Sequence, residues 1–348
     1  MNKGICTALK WLLTLALVVV SFYFALKDIN MSMLWESIRT ANYLWVFLSL
    51  PIIIASHYVR ALRWRTILKP IMNPGSTINL FSAVMVGYFF NSIYPRLGEF
   101  VRPYVYAKRE NVSKSSVFAT IVVERVIDVF TLGFLFAIAF IIARDKIANM
   151  LPGVDPQKIL MFSVFVLFIL FFSFYPPFIN FALKFIVKPF STKIHDRILD
   201  IFAKFRLGFS VIKNPRSYIR LIAESLLIWL CYALPMYLMF FCFPFSQTID
   251  VSIGDALFLV IVSGIGVTIA PTPSGIGVMH SLIMYAMMGL YGIQEEMALA
   301  YATINHASSL FIQLTVGGIF LIRERITKIP DDLSNNNENN NNIELKTT

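Results

Sequence analysis

The sequence predicts an all-α, polytopic transmembrane helical bundle, and three observations lead to that fold class. Of the 348 residues, 57% are hydrophobic and 15% are aromatic, which is more apolar surface than a soluble chain of this length can bury. The apolar residues form runs that approach or exceed the roughly 20 residues needed to cross a bilayer. The formal net charge of +10 is concentrated between these runs, as in loops that stay in the cytoplasm.

The composition also excludes several other classes of protein. The basic residues form no separate domain with interleaved aromatic side chains, so nucleic acid is not an expected partner. The three cysteines, Cys6, Cys231 and Cys242, lie in or beside apolar runs, which excludes a disulfide framework and a Cys-x-x-Cys metal site. We therefore predict no metal site and no cofactor.

Six runs are long enough to cross a membrane. The first, 11–26, follows Lys3 and Lys10, but it is longer than the apolar part of a signal peptide and no Ala-x-Ala cleavage pattern follows it. It is therefore predicted to be a retained membrane helix. The predicted full spans are 10–27, 43–62, 117–143, 158–183, 219–243 and 297–322.

Two shorter apolar stretches end at breaks rich in proline and glycine. The first, 78–94, ends at YPRLG (94–98), and the second, 254–271, ends at APTPSGIG (270–277), after which a further short run covers 278–292. Irregular backbone at membrane depth is tolerated only where it is buried in protein or lines a wet cavity. We therefore predict two interrupted, re-entrant hairpins, the first entering from the cytoplasm; the second fits either a hairpin or two short spans.

Lysine and arginine set the predicted orientation of these elements. Three basic clusters follow the second span, join the fourth span to the fifth, and follow the last span. They comprise Arg60, Arg63, Arg65 and Lys69; Lys184, Lys188, Lys193, Arg197, Lys204, Arg206, Lys213, Arg216 and Arg220; and Arg323, Arg325 and Lys328. The connections at 243–253 and 292–296 have no Lys or Arg and are predicted to lie outside. Both termini are then cytoplasmic, in a cytoplasmic (inner) membrane.

The order of elements is span, span, interrupted hairpin, span, and then the same again. Pro95 and Pro273 are 178 positions apart, and the spans that start near 117 and 297 are offset by about as much. Because the first half starts inside and the second outside, this pattern predicts an inverted repeat, whose broken helices mark a transport site near the membrane midplane. The predicted domains are a membrane domain at 1–328, with possible halves 1–150 and 151–328, and a disordered, Asn-rich cytoplasmic tail at 329–348.

The first break carries both helix-breaking and charged residues. In the stretch NSIYPRLGEFVR, Pro95 and Gly98 interrupt the helix, and the amides freed at the start of the next half-helix would suit an anion. Arg96 and Arg102 add charges that can fork onto phosphate oxygens, and Glu99 would orient an arginine or carry a proton. The plainer alternative is a helix stop and a cytoplasmic loop whose arginines touch lipid headgroups. The predicted binding residues here are Asn91, Pro95, Arg96, Gly98, Glu99 and Arg102.

The third full span carries charge inside the membrane, in the stretch VVERVIDVF. Glu124 and Asp128 are four positions apart and share one helix face, and Arg125 is three before Asp128 and can pair with it. Arg102 is a candidate partner for one of the two carboxylates. Because charges within the membrane normally face the interior or a water-filled cavity, two interpretations stay open. The cluster either relays protons or cations beside an anionic substrate, or neutralises itself and fixes this helix to its neighbours.

The second break, in APTPSGIGVMHSLIMY, is richer in small residues, which allow a close backbone approach. His280 lies one turn into the following half-helix and titrates most easily near neutral pH, so it is either a coupling residue or a packed histidine hydrogen-bonded to a neighbour. His57 and His306 are predicted to be packing or interface residues. The predicted binding residues at this break are Pro273, Ser274, Gly275 and Gly277.

Together these motifs resemble the membrane region of lysylphosphatidylglycerol synthases and the wider flippase-like family that shares it. That family shows a proline followed by Gly-Glu and then Arg, a Glu-Arg-x-x-Asp, and a late Pro-Gly-Gly-x-Gly-x-x-Glu. The matching positions here are Pro95, Gly98, Glu99 and Arg102; Glu124, Arg125 and Asp128; and Pro273, Ser274, Gly275, Gly277 and His280. Ser274 replaces a usual glycine and His280 a usual glutamate. The resemblance implies a lipid translocase without the aminoacyl-transferase domain of the full synthases.

Three functions are compatible with these features. The leading hypothesis is a transporter, or flippase, that moves an anionic phospholipid or lipid-linked phosphate across the cytoplasmic membrane, so no catalytic residue is assigned. The alternative is a membrane-embedded glycosyl or other group transferase acting on a polyprenyl-phosphate lipid. Against it, no Asp-x-Asp motif is present and the connection 184–218 is too short to bind a nucleotide sugar alone. The third is a non-catalytic membrane partner of a separate synthase.

Overall fold

The computed structural model describes residues 29–142, 215–269 and 272–326, together with isolated positions within 16–27 and 157–196. Over these residues the backbone forms helices joined by turns and loops, with no strand, which confirms the all-α prediction. The predicted spans 10–27 and 158–183 and the tail at 329–348 lie largely or wholly outside the described residues.

The helices of the described part of the chain follow the predicted runs closely. They are α1 (Met31–Arg39), α2 (Tyr43–Leu68), α3 (Thr77–Ile93), α4 (Gly98–Arg109), α5 (Lys114–Ile142), α6 (Pro215–Phe240), α7 (Ile253–Ile269), α8 (Val278–Tyr291) and α9 (Glu295–Ile326), with short 3₁₀ turns at Pro244–Gln247 and Pro273–Gly275. Four candidate spans in this part are long and apolar enough to cross a membrane, namely Tyr43–Leu68, Arg216–Phe240, Pro273–Tyr291 and Glu295–Ile326.

The first helix, α1, has no counterpart among the predicted spans. Asn30 caps it, because its side-chain oxygen accepts from the amide of Ser32 at 3.0 Å. The amide of Asn30 in turn donates to Glu296 at the start of α9, at 3.2 Å, and α1 packs against α9. This nine-residue helix is too short to span a membrane, and a search for long apolar runs misses it for that reason.

The two predicted breaks are present and have related backbone geometry. At the first, Pro95 is followed by Arg96 with φ of 59°, and α4 begins two residues later. At the second, Pro273 is followed by Ser274 with φ of 51°, and α8 begins at Val278. A residue other than glycine in the left-handed region is uncommon, so its occurrence after the proline at both breaks is a specific likeness between them.

The helices on either side of the breaks form two matching series, α2–α5 and α6–α9. α2 and α6 have 26 residues each and α3 and α7 have 17 each. α4 and α8 have 12 and 14, and α5 and α9 have 29 and 32. α2 packs extensively against α6, α3 packs against α9, and α7 packs against α5. That reciprocal exchange of partners is what a two-fold relation between the series would produce.

Glycines allow the first hairpin to close tightly. A Cβ built on Gly98 would lie only 1.9 Å from the carbonyl oxygen of Gly87, so the backbones of α3 and α4 touch at this point. α9 approaches α3 in the same way, because a Cβ on Gly317 would lie 2.8 Å from the carbonyl oxygen of Met85. Small residues at such contacts let membrane helices pack closely.

We expect Gly98→Ala to lower the free energy of unfolding by about 3 kcal/mol, because overpacking against backbone cannot be relieved by moving a flexible side chain. The measurement is thermal unfolding of purified protein in detergent. Gly318→Ala is the matched control, since its added carbon would meet Phe89 at an ordinary 3.8 Å. Equal midpoints for the two variants would contradict the close approach of α3 and α4.

Candidate functional site

A cavity of about 640 Å³ lies between the two breaks. The first break contributes Pro95, Arg96 and Gly98, and the second contributes Ser274 and Gly275, while α2, α3, α5, α6, α7 and α9 supply most of the remaining wall. Residues of both breaks thus line one cavity in the described part of the chain. Segments far apart in the sequence meet around one space.

Glu124 is a fully enclosed charge beside this cavity and is 0% exposed. Its Oε1 accepts from Nη1 of Arg60 at 2.8 Å and from Nη1 of Arg102 at 3.0 Å. Arg102 also places its Nη2 2.9 Å from the second carboxylate oxygen. Two further guanidinium groups, those of Arg63 and Arg125, lie 3.6 and 3.4 Å away. One carboxylate thus holds four arginines.

Asp128 lies one turn further along α5 and shares three of these arginines. It accepts from Arg63 at 2.5 Å, and it lies 3.5 Å from Arg60 and 3.4 Å from Arg125. The expected pairing of Arg125 with Asp128 is therefore present. Glu99 contributes only a distant ion pair with Arg125, at 3.8 Å. The two α5 carboxylates face the same neighbours, as their spacing of four residues predicts.

Arg60 and Arg63 lie inside the bundle, where the sequence did not predict them. We expected both to belong to a cytoplasmic cluster that follows the second span, but they are only 5% and 0% exposed and bind the α5 carboxylates. The reason is that α2 continues as helix to Leu68 instead of ending near 62, which turns both side chains into the bundle. Their spacing of three residues, which places them on one helix face, was the signal available in the sequence.

Arg102 is fixed by its surroundings. Its guanidinium stacks over the ring of Trp64 at 3.9 Å from the centroid, a cation–π contact. The indole nitrogen of Trp64 in turn donates to Thr120 on α5 at 2.9 Å. On the other side, the stem of Arg102 lies against Gly87, where any Cβ would be 3.0 Å away. Helices α2, α3 and α5 together hold this side chain in one position.

Two backbone amides at the first break are already hydrogen-bonded, contrary to a second expectation. We predicted that freed amides at the start of the half-helix would bind an anion. Instead the amide of Gly98 donates to the side-chain oxygen of Asn91 at 2.7 Å, and the amide of Glu99 donates to the carbonyl of Arg96 at 3.2 Å. The turn after Pro95 therefore feeds directly into α4 and satisfies these donors. These two amides are therefore not free for an anion, which favours side chains as its ligands at this break.

The charges at the cavity do not balance. Four arginines and two carboxylates line it, namely Arg60, Arg96, Arg102, Arg125, Glu99 and Asp128. Directly behind this wall, Arg63 and Glu124 add one charge of each sign. The described cavity therefore carries two more positive than negative charges. In a site of low dielectric constant such an excess favours an anion.

Helix α9 contributes polar, uncharged side chains to the cavity wall. His280 Nδ1 accepts from the amide of Gly277 at 3.3 Å, and His280 Nε2 lies 3.3 Å from Nδ1 of His306. His306 lines the cavity together with Asn305, whereas His280 lies behind it. We had predicted His306 to be a packing residue, and its place in the cavity wall was missed because a single histidine in an apolar span gives no sign of which side it faces.

The predicted site residues divide into two groups. Those that line the cavity are Asn91, Pro95, Arg96, Gly98, Glu99, Arg102, Arg125, Asp128, Ser274 and Gly275. Those that do not are Glu124, Pro273, Gly277 and His280, of which Glu124 and His280 contact residues that do. His57 and Trp229 also line the cavity and were not assigned to it from the sequence. No group of three or more potential metal ligands occurs among the described residues.

An all-helical bundle with several membrane-length apolar helices and a charged interior cavity defines an integral membrane protein. The model of the lysylphosphatidylglycerol synthase transmembrane region matches residues 11–317, and the chain belongs to that family. A UPF0104 membrane protein of Methanocaldococcus jannaschii is 26% identical over 329 residues, covering 90% of this chain and 96% of the relative. Another UPF0104 membrane protein, from Pyrococcus horikoshii, is 23% identical and covers 82% and 88% respectively.

Proposed function

We propose that this protein moves an anionic phospholipid or a lipid-linked phosphate across the cytoplasmic membrane. The observation that carries the proposal is the excess of two positive charges at a cavity between two broken helices. A phosphodiester is the anion of lipid headgroups, and arginine is the side chain best shaped to hold it. Lipid handling also accords with the family to which the chain belongs.

The matching series α2–α5 and α6–α9 support transport over simple binding. We propose that they form an inverted repeat, within the predicted halves 1–150 and 151–328. The first break is then the tip of a hairpin that does not cross the membrane by itself, and the second lies in a hairpin or between two short spans. Rocking of one repeat against the other would then expose the shared cavity to each side in turn. The reciprocal packing of α3 on α9 and of α7 on α5 supplies the two similar contacts that such motion requires.

Both termini are proposed to be cytoplasmic, since this orientation places the dense Lys/Arg clusters on one side. Gln247 and Lys69 are exposed, on connections predicted to lie outside and inside respectively. In a background without the native cysteines, a cysteine at position 247 should react with a membrane-impermeant maleimide in intact cells. A cysteine at position 69 should react only after the membrane is opened. Labelling of position 69 in intact cells would overturn the assignment.

The purified protein in vesicles tests the transport proposal. Tail-labelled phosphatidylglycerol is distributed over both leaflets, and an impermeant reductant removes the label that reaches the outside. We expect the protein to raise the fraction of label that becomes accessible above that of empty vesicles, with or without an added proton gradient. No movement of any anionic lipid under either condition would overturn the proposal.

The same preparation separates the transferase alternative. It is incubated with a polyprenyl phosphate and nucleotide sugars, and the lipids are analysed by mass spectrometry. Formation of a new glycolipid without lipid movement would favour the transferase, whereas movement without a new product supports transport. Because only one purified chain is present, lipid movement in this assay also shows that no separate synthase is required.

A further inference from the structure

Three buried imidazole or indole side chains around the cavity each have at least one ring nitrogen that makes no hydrogen bond to the described residues. They are His57 on α2, Trp229 on α6 and His306 on α9, which are 3%, 9% and 8% exposed. Both ring nitrogens of His57, the indole nitrogen of Trp229 and Nε2 of His306 make no hydrogen bond, and all three residues line the cavity. Because buried polar groups are nearly always paired, these side chains indicate groups that a ligand would satisfy.

The direction of each missing hydrogen bond follows from chemistry. An indole nitrogen can only donate. The amide of Gly277 donates to Nδ1 of His280, so neutral His280 carries its proton on Nε2 and donates it to Nδ1 of His306. Neutral His306 must then carry its own proton on Nε2, the atom without a partner. Trp229 and His306 are therefore both donors that require an acceptor, and His57 offers one donor and one acceptor.

The cavity has no carboxylate among the described residues that is free of arginine and could bind a cationic group of a ligand. The two carboxylates in its described wall, Glu99 and Asp128, both lie within ion-pair distance of Arg125. Asp128 is also held by Arg63. Oδ2 of Asp128 is buried and makes no hydrogen bond, but the guanidinium groups of Arg60 and Arg125 already lie 3.5 and 3.4 Å from it. An ammonium group brought into this space would meet these like charges at close range, which disfavours its binding.

We propose that the lipid carried in this cavity has a phosphate and an uncharged, hydroxylated headgroup, a polyol or a sugar, and that Trp229 and His306 donate to its oxygens. The excess of arginine charge disfavours lipids with an amine in the headgroup. The arginines bind the phosphate, and Trp229 on α6 and His306 on α9 donate hydrogen bonds to the headgroup attached to it. This inference rests on the lipid-binding step of the proposed function, not on transport itself, and narrows the bound lipid to one chemical class.

Lipid binding to the purified full chain tests the selectivity. Phosphatidylglycerol, phosphatidylethanolamine and phosphatidic acid with identical acyl chains are titrated, and bound lipid is counted by native mass spectrometry. We expect phosphatidylglycerol to bind at least about tenfold more tightly than phosphatidylethanolamine. A polyprenyl phosphoryl sugar is the second hydroxylated probe. Whichever of the two binds more tightly shows whether the cavity prefers a phospholipid or a lipid-linked sugar phosphate. Equal or tighter binding of phosphatidylethanolamine than of both hydroxylated probes would overturn the proposal.

Two conservative variants test the donors. Trp229→Phe removes the indole N–H and keeps an aromatic ring, and His306→Leu removes the imidazole donor at similar volume. Each should weaken binding of the preferred hydroxylated lipid roughly fivefold to tenfold, with a smaller effect on phosphatidic acid. His306→Gln, which keeps an N–H donor, should recover part of the loss. Trp45→Phe is the matched control, because Trp45 packs against Phe241 and does not line the cavity. Unchanged binding in both donor variants would overturn the assignment.

An independent readout is the protonation state of His306. The chain has four histidines, so ¹⁵N-histidine labelling gives few signals. We expect His306 to be neutral with its proton on Nε2. Added phosphatidylglycerol should change the ¹⁵N chemical shift of that nitrogen. A proton on Nδ1 of His306 would be incompatible with the hydrogen bonds that run from Gly277 through His280, and it would contradict the proposal. Selective binding without transport would leave this inference standing and remove the proposed function, whereas transport without headgroup selectivity would do the reverse.

Discussion

Replacing Glu124 with glutamine is expected to lower the free energy of unfolding by about 3–5 kcal/mol, the cost of breaking a buried ion pair by removing one partner. Glu124 is fully buried, and four guanidinium groups lie within 3.6 Å of one of its oxygens. Glutamine keeps the shape and one acceptor, but it leaves these charges facing one another. We expect no other single charge-removing change at this cavity to be as costly.

Thermal unfolding in detergent measures this effect. Glu36→Gln is the control, because Glu36 is exposed on α1. The double variant Glu124→Gln/Arg63→Gln should recover part of the loss, since it also removes a charge that glutamate had neutralised. A Glu124→Gln protein as stable as Glu36→Gln would show that the arginines do not depend on this carboxylate.

The same variants separate the two interpretations of the charged span. If Glu124 and Asp128 relay protons, Glu124→Gln/Asp128→Asn stops transport in whatever protein remains folded. If they only hold the arginines, stability falls and the specific activity of the folded fraction is retained. The contacts favour the second outcome, because each carboxylate lies within ion-pair distance of at least three arginines. A stable double variant with normal transport would exclude the relay.

Arg102→Ala is expected to abolish lipid movement, with a loss of at least about hundredfold. Truncating one partner of a buried, hydrogen-bonded charge pair costs about 2–5 kcal/mol or more. Arg102 lines the cavity, donates to one oxygen of Glu124, lies within ion-pair distance of the other and stacks on Trp64. Lysine should rescue transport only partly, because it keeps the charge and loses the planar fork.

Initial rates in vesicles, measured beside thermal stability, report this effect. Arg39→Ala is the control, since Arg39 is exposed at the end of α1. A folded Arg102→Ala protein that moves lipid at the wild-type rate would remove Arg102 from the binding site. Full activity of the lysine variant would show that charge alone is sufficient.

The sequence predicted where the helices and breaks lie better than it predicted which helices contact each other. Proline and glycine located both breaks, because these residues interrupt helices wherever they occur in a membrane span. The spacing of Glu124 and Asp128 showed that they share a face of α5. It did not show that α2 would supply Arg60 and Arg63 to that face, because periodicity gives the direction of a side chain and not the helix that it meets.

The expectations that were wrong have local physical causes. The predicted amide site assumed that a helix restarts with free donors, whereas the turn after Pro95 and the side chain of Asn91 occupy them. His57 and Trp229 gave no sign of a site because single polar side chains in apolar runs usually pack in the interior. Only the meeting of α2, α6 and α9 around one cavity separates these residues from ordinary packing.

An experimental structure of the protein in a phosphatidylglycerol nanodisc tests the central claim most directly. We expect density for a lipid phosphate within about 3 Å of the guanidinium group of Arg102 or Arg125, between the breaks at Pro95 and Ser274. The acyl chains should leave the cavity toward the bilayer. A cavity without a phosphate, while ordered lipid occupies only the outer surface of the bundle, would contradict the account.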